Sequence, residues 1–327
     1  MPESDDDDET EGLPAPDFTT PRELETRVPM AWQGQRLDRV LAQWQPDVSR
    51  SHLQQLIEEG ELRLEGEVCQ QPSRKLRLGQ CLQLNLRPPA AMLAFVPEAM
   101  NLAIVHEDAA LMVIDKPAGL VVHPAAGNWT GTLMNGLLAH HAAAAALPRA
   151  GIVHRLDKDT AGLMVVAKTP EAYAMLVAQL AAREVKREYL ALCKGAWPED
   201  RLIDAPVGRD PRTRTRMAVV PVPRGGKSAQ TQINALAVTN KASLLHCQLH
   251  TGRTHQIRVH CAHTGHPLLG DALYGGPVVE GLGRQALHAV SLQLRHPSNG
   301  DWLKWSSEPP PDFHQAASVF GLPVELP

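Results

Sequence analysis

Val153-His154-Arg155-Leu156-Asp157-Lys158-Asp159-Thr160-Ala161 runs directly into Gly162-Leu163-Met164-Val165-Val166-Ala167. The second half is a short unbroken apolar run, which reads as a strand buried on both faces. The first half sets five ionisable side chains on a turn at the mouth of that strand. Polar groups held there sit on a rigid frame, where functional residues concentrate. Residues 171–183 then read as a helix, with Ala174, Leu176, Val177 and Leu180 on its apolar side. Glu188-Tyr189-Leu190-Ala191-Leu192 reads as the next strand.

Working outward, Ile104-Val105 and Leu111-Met112-Val113-Ile114 read as buried strands, Lys116-Pro117-Ala118-Gly119 as a turn, and Met134 to Ala146 as a helix. Downstream come an exposed Arg-rich stretch from Arg209 to Arg216 and a strand over Leu244 to Leu249. A helix capped by Thr254 runs to about Thr264, closed by Gly265 and Pro267, and Ser291 to Leu294 reads as a late strand. Strands and helices mix without the alternation of a doubly wound fold. The expectation for residues 91–327 is an α+β domain with a mainly antiparallel mixed sheet.

Residues 21–90 read as a separate small α/β module with its linker. Leu37, Val40, Leu41 and Trp44 form a helical stripe, and Ser49 caps a second short helix that Gly60 ends. Leu62 and Leu64 turn through Gly66 into Val68 as a hairpin, and Leu76 with Leu78, then Leu82, Leu84 and Leu86, read as further strands. Within residues 1–20, the first dozen hold seven acidic residues and no Lys or Arg. Such a segment buries too little apolar surface to offset ordering entropy, so it is expected to be a disordered acidic tail. It also accounts for the formal net charge of −4; the remaining body is mildly basic.

Composition narrows the class. No apolar run approaches the length of a membrane span, and the N-terminus is acidic, unlike a secretory leader. Five scattered cysteines form no CxxC pair, which fits free thiols in a reducing compartment and a cytoplasmic location.

Two clusters can carry chemistry. Asp157 on its turn can serve as nucleophile or electrostatic stabiliser, or simply cap a turn. Leu249-His250-Thr251-Gly252-Arg253-Thr254-His255-Gln256-Ile257-Arg258 leads through a tight glycine turn into a helix from which Arg258 can project at a carboxylate. An Arg–Asp pair would hold the carboxylate ionised and oriented; an ordinary structural ion pair is the alternative. Several histidines lie close together between His246 and His266, but HExxH is absent and no carboxylate or cysteine completes a zinc set. A metal-dependent hydrolase is therefore the weaker rival.

His154-Arg155-Leu156-Asp157 with Thr160 and Gly162, followed by Gly252-Arg253-Thr254-His255-Gln256-Ile257-Arg258, resembles the signature of the RluA-type pseudouridine synthases. Lys116 to Gly119, Val122-His123-Pro124, Arg187-Glu188-Tyr189, Gly265 to Asp271, Tyr274-Gly275 and Gln285 to Ala289 extend the likeness over residues 100–307. Ala161 departs from it, since many members carry Ser or Thr there. Residues 34–68 resemble an RNA-binding module named after a small-subunit ribosomal protein, through Arg36-Leu37-Asp38, Ser49-Arg50-Ser51, Leu56-Ile57 and Gly60.

The resemblance implies an isomerase that turns uridine into pseudouridine in large-subunit (23S) ribosomal RNA, in a stem-loop or a precursor particle. It implies Asp157 as catalytic residue, Tyr189 against the target base, Arg258 paired with the carboxylate, and Leu287 lining the uracil pocket. Arg155 would enter the stem where the base has left. Arg36, Arg50, Arg212 and Arg214 are candidates for phosphate contacts. No cofactor, metal or membrane is expected, and a monomer is. The same reaction on another RNA, or a non-enzymatic ribosome-assembly role, are the alternatives.

Overall fold

The computed structural model describes residues 20–125, 127–213 and 215–326. The acidic-tail expectation therefore lies outside the described residues except at Thr20. The chain forms two compact units that divide at Val96 and Pro97.

In the first unit, β1 (Arg22–Arg27), β4 (Cys81–Leu86), β2 (Leu62–Leu64) and β3 (Glu67–Val68) make an antiparallel sheet in the order β1-β4-β2-β3. Helices α1 (Leu37–Trp44) and α2 (Arg50–Glu58) pack Leu37, Val40, Leu41, Leu53, Leu56 and Ile57 against Leu62, Leu82 and Leu84. Ser49 caps α2 by accepting the His52 N–H. Leu76 and Leu78 do not form the expected strand. Leu76 exchanges backbone hydrogen bonds with Gly34 and Gln35 in a loop, and Gly79 turns the chain with φ +80°, which leaves Leu78 exposed.

The second unit is built on a nine-stranded sheet among the described residues. Its strands are β5 (Ile104–Glu107), β6 (Leu111–Lys116), β7 (Ala161–Ala167), β8 (Lys186–Lys194), β9 (Arg201–Asp204), β12 (Gln230–Val238), β13 (Ala242–Leu249), β14 (Leu287–Arg295) and β15 (Trp302–Ser306). The order is β5-β6-β7-β14-β8-β13-β12-β9, with β15 on β14. Pairing is antiparallel except between β7 and β14, which start side by side. The short hairpin β10 (Val207–Arg209) and β11 (Met217–Val219) stands apart. This is the expected α+β fold with a mainly antiparallel mixed sheet.

Both faces are covered, which is why β6 and β7 are continuously apolar. Met112, Ile114, Met164 and Val166 meet helix α3 (Leu133–His140) on one face, where Ile257 and Cys261 of α5 (Gln256–His263) join the same core. Leu111, Val113, Leu163 and Val165 meet α4 (Pro170–Ala181) on the other, while α6 (Pro311–Val319) covers Leu190, Leu192 and Leu244.

Three local expectations change. The α4 face that packs is Ala172, Leu176 and Gln179, whereas Ala174 and Val177 are exposed. A polar residue fits the buried face because the Gln179 amide exchanges hydrogen bonds with the Arg295 backbone. The helix from Met134 stops at His140, since His141 is extended, and residues 142–146 form a 3-10 turn. Helix α5 begins at Gln256, and Thr254 does not cap it. The Gln256 side chain instead satisfies the turn, accepting from Arg253 N–H and Thr251 Oγ1 and donating to Gln230 O and Thr231 Oγ1.

Gly162 holds the one parallel contact. It sits at φ +113°, and a Cβ there would stand 2.3 Å from Ala289 O and 2.6 Å from Ala289 N. The Gly162→Ala variant is expected to lose about 3 kcal/mol in chemical denaturation, through strain and separation of β7 from β14. An unchanged denaturation midpoint would refute this account of the contact.

Candidate active site

The turn before β7, the start of β8, the start of β14 and the first turn of α5 converge on an open cleft of about 490 Å³. Asp157, Tyr189, Arg258, Leu287 and Arg155 all line it, so residues from four separate elements meet there. Arg36 and Arg50 belong to the first unit, Arg212 lies exposed in the β10–β11 loop, and Arg214 falls outside the described residues.

The centre is a three-member ion network. Arg258 Nη1 donates to Asp157 Oδ2 at 3.0 Å, while Nε and Nη2 grip Asp271 at 2.7 and 2.9 Å. Asp271 is 2% exposed, so its carboxylate has given up water and depends on the guanidinium. Burial opposes the Arg258 charge, but hydrogen bonds and charge attraction from Asp271 and Asp157 outweigh it and raise its pKa. The Tyr274 ring lies 5.0 Å from the guanidinium carbon.

His255 adds a second contact. It precedes α5 with φ +56°, a left-handed conformation uncommon for a non-glycine residue. Its Nδ1 is 2.9 Å from the Tyr274 hydroxyl, which also accepts the Met217 N–H at 3.0 Å. The Tyr274 hydroxyl thus bridges the Met217 backbone and His255, whose Nε2 lies 3.8 Å from Asp157 Oδ1. Burial lowers the His255 pKa, and Asp157 opposes that shift.

The Asp157 turn is fixed from below by two buried cations. Lys116 is wholly buried and donates to the carbonyls of Pro117, Leu120 and Lys158. Burial pushes its pKa down to about 8, with Asp159 and Asp157 opposing the shift. Arg284 clamps Asp312 of α6 with Nε and Nη2, and turns Nη1 to the carbonyls of Asp159, Gln285 and Leu287. Gln285 donates to Thr160 Oγ1. Tyr189 is nearly buried, and burial raises its phenol pKa.

Sequence reasoning brought out Asp157, Tyr189, Arg258 and Leu287 but assigned no role to Lys116, Asp271, Tyr274, His255 or Arg284. The readable signals were a lysine closing an apolar strand and an arginine opening another, both polar exceptions in apolar surroundings. His260 takes an ordinary structural role, bonding Thr231 Oγ1 and Ala205 O. Among the described residues no three His, Cys, Asp or Glu side chains gather as a metal-ligand set. No helix among them is long and apolar enough to cross a membrane.

In the first unit, Asp38 is wholly buried and accepts from Arg36, Arg50 and Gln54. The two arginines remain about half exposed, at 51% and 56% of their side chains.

Residues 110–263 match the RNA pseudouridylate synthase family, and residues 35–80 match the S4 domain. The chain is 47% identical to ribosomal large subunit pseudouridine synthase D of Neisseria meningitidis serogroup A, over 98% of this chain and 89% of that protein. It is 48% identical to the protein of the same name from Nitrosomonas europaea, over 89% and 86% of the two chains. The solved structure titled human RNA pseudouridylate synthase domain containing 4 aligns with 68% of this chain and 94% of its own, at 25% identity and TM-score 0.53. The chain thus belongs to the RNA pseudouridine synthase family, with an S4 RNA-binding domain ahead of the catalytic region. It is an isomerase of uridine in RNA.

Two outcomes follow from these contacts. Asp271→Ala frees two of the Arg258 donors, so turnover is expected to drop about 10- to 100-fold with little change in KM; unaltered kcat would remove Asp271 from the machinery. Hydrogen bonds from Arg36, opposed by burial and helped by Arg50, hold the Asp38 carboxyl well below the usual carboxylate range. Its contribution is fully present above pH about 4 and is lost as pH falls toward the depressed native value. Acid titration of the full chain, followed in the first unit, should show this loss in wild type and not in Asp38→Asn.

Proposed function

We propose that this enzyme converts selected uridines of large-subunit (23S) ribosomal RNA to pseudouridine, with Asp157 as the catalytic residue. The observation that carries the reading is the Asp157–Arg258 contact in a cleft shared with Tyr189 and Leu287. The names of the relatives, each a ribosomal large subunit pseudouridine synthase, support the choice of RNA. The substrate is a stem-loop of that RNA, free or in a precursor particle, and the protein acts as a cytoplasmic monomer. Residues 21–90 bind RNA, and residues 91–327 do the chemistry.

The reaction breaks the bond between uracil N1 and ribose C1′, turns the base, and joins C5 to C1′. The C5 proton leaves and N1 gains one. No electrons or groups enter or depart, so the isomerisation requires neither nucleotide nor metal. A stacked base cannot turn, so the uridine is extruded into the cleft at a cost of a few kcal/mol. Tyr189 stacks on the base and Leu287 keeps water from it. Arg155, exposed at the cleft, fills the vacated place in the stem.

Arg258 and Asp271 keep Asp157 anionic and aimed at the ribose. Both the nucleophilic and the glycal route draw on that one anion. Arg36, Arg50, Arg212 and Arg214 add phosphate contacts that raise affinity without reading sequence.

Asp157→Asn should bind ribosomal RNA like wild type and release no tritium from RNA labelled at uracil C5; full activity would disprove the assignment. Arg258→Met should fold and lose turnover on the order of 100-fold. Unchanged kinetics would remove the pairing from the mechanism.

A further inference from the structure

Most cations on the cleft wall are accounted for. Arg258 is held by Asp271 and Asp157, Arg253 donates to Ser228 O at 3.0 Å, and Arg183 reaches Gln230 Oε1 at 3.5 Å. Arg149 and Arg155 are exposed. Asp157 is the single carboxylate lining the cleft among the described residues.

Arg187 differs from all of these. It stands on β8 two residues before Tyr189 and lines the same cleft. Its Nε is buried with no hydrogen-bond partner among the described residues. Its charge adds to the burial-driven fall of the His154 pKa and opposes the burial-driven rise at Tyr189. A Cβ on Gly252 would stand 2.7 Å from Arg187 Nη1. The glycine therefore lets the guanidinium lie against the loop leading into α5.

A second orphan lies on the same wall. His154 Nε2 accepts the Val165 N–H at 3.0 Å, which places the ring proton on Nδ1. That Nδ1 is buried without an acceptor. Burial, reinforced by Arg187, pushes the ring pKa down to about 3, so the imidazole is neutral and acts only as a donor there.

Two unmatched donors, one of them a cation, are costly to bury unless an anion arrives to meet them. RNA brings such an anion: extruding a uridine carries the phosphodiesters on either side of it to the pocket mouth. A guanidinium fork matches two phosphate oxygens. We propose that Arg187, seated on Gly252 and backed by His154 Nδ1–H, is the binding site for a phosphodiester adjoining the extruded uridine. The inference rests on the isomerase reading above and deepens it, since the ion pair of Arg187 is completed only when the nucleotide has left its stack.

The test uses the full chain and a synthetic stem-loop of 23S ribosomal RNA whose uridine the wild-type enzyme converts. Neutral methylphosphonate linkages replace, one at a time, the phosphates flanking that uridine. One of them is expected to weaken wild-type binding about 10-fold, the scale of one charge-assisted hydrogen bond. The same linkage should leave Arg187→Gln unaffected. The slope of log affinity against log salt should fall by about 0.7 in that variant. Arg187→Lys keeps the charge, should recover part of the affinity, and carries the comparison if the Gln variant does not fold. Wild type and Arg187→Gln responding equally to each linkage would overturn the proposal, as would wild-type indifference to both linkages. Conversion of the unmodified RNA reports separately on the catalytic reading. If conversion is intact and the linkages have no effect, only the phosphate site falls.

Discussion

The guanidinium of Arg258 is the joint on which the ion network of the cleft turns. Its planar fork has room for two carboxylates, and both places are filled: Asp271 takes two donors from the buried side and Asp157 takes one from the cleft side. Asp271 does more than neutralise charge. By occupying Nε and Nη2 it sets the plane of the fork, and the plane decides where Nη1 points. A single Arg–Asp pair at the cleft mouth would rotate freely and be screened by water. Anchored from behind, it becomes a fixed bearing for an anion that remains partly open to substrate.

The same logic governs the turn that carries Asp157. Its backbone carbonyls at Lys158 and Asp159 are each taken by a cation from the interior, Lys116 and Arg284. Backbone oxygens buried without donors would cost free energy. Here that requirement is met by groups that also bring positive charge beneath the carboxylate. Lys116 is tied to the loop after β6, and Arg284 to the α6 side chain Asp312, so the turn is referenced to both ends of the domain.

Much of this was legible in the sequence. The apolar runs at 111–114 and 162–167, the stripe from Leu37 to Trp44 and the Ser49 cap all signal their elements through local chemistry. Asp157 and Arg258 stand out as members of charge clusters at turns, and the family resemblance supplied the roles expected of them. Failures came where a residue's partner lies far away in the chain. Thr254 looks like a cap, yet Gln256 does that work through contacts to Gln230 and Thr231 on β12. Ala174 and Val177 look like core, yet Gln179 takes the inward position because the Arg295 backbone awaits it. Asp271 carries no local mark of its role, since its partner is 13 residues away on another element. No periodicity encodes such pairings.

The parallel pairing of β7 and β14 has a consequence for how the enzyme comes into being. Those strands begin side by side, which brings the turn at Asp157 next to Leu287, but parallel neighbours cannot be joined by a hairpin. The intervening chain must be laid down first, and Arg284 then waits for Asp312 still further on. A growing polypeptide emerging from the ribosome therefore holds no assembled network until the segment carrying Asp312 has been made. Contacts of such long sequence separation close slowly. Closure of the cleft is thereby coupled to synthesis of its latest strand and helix, β14 and α6.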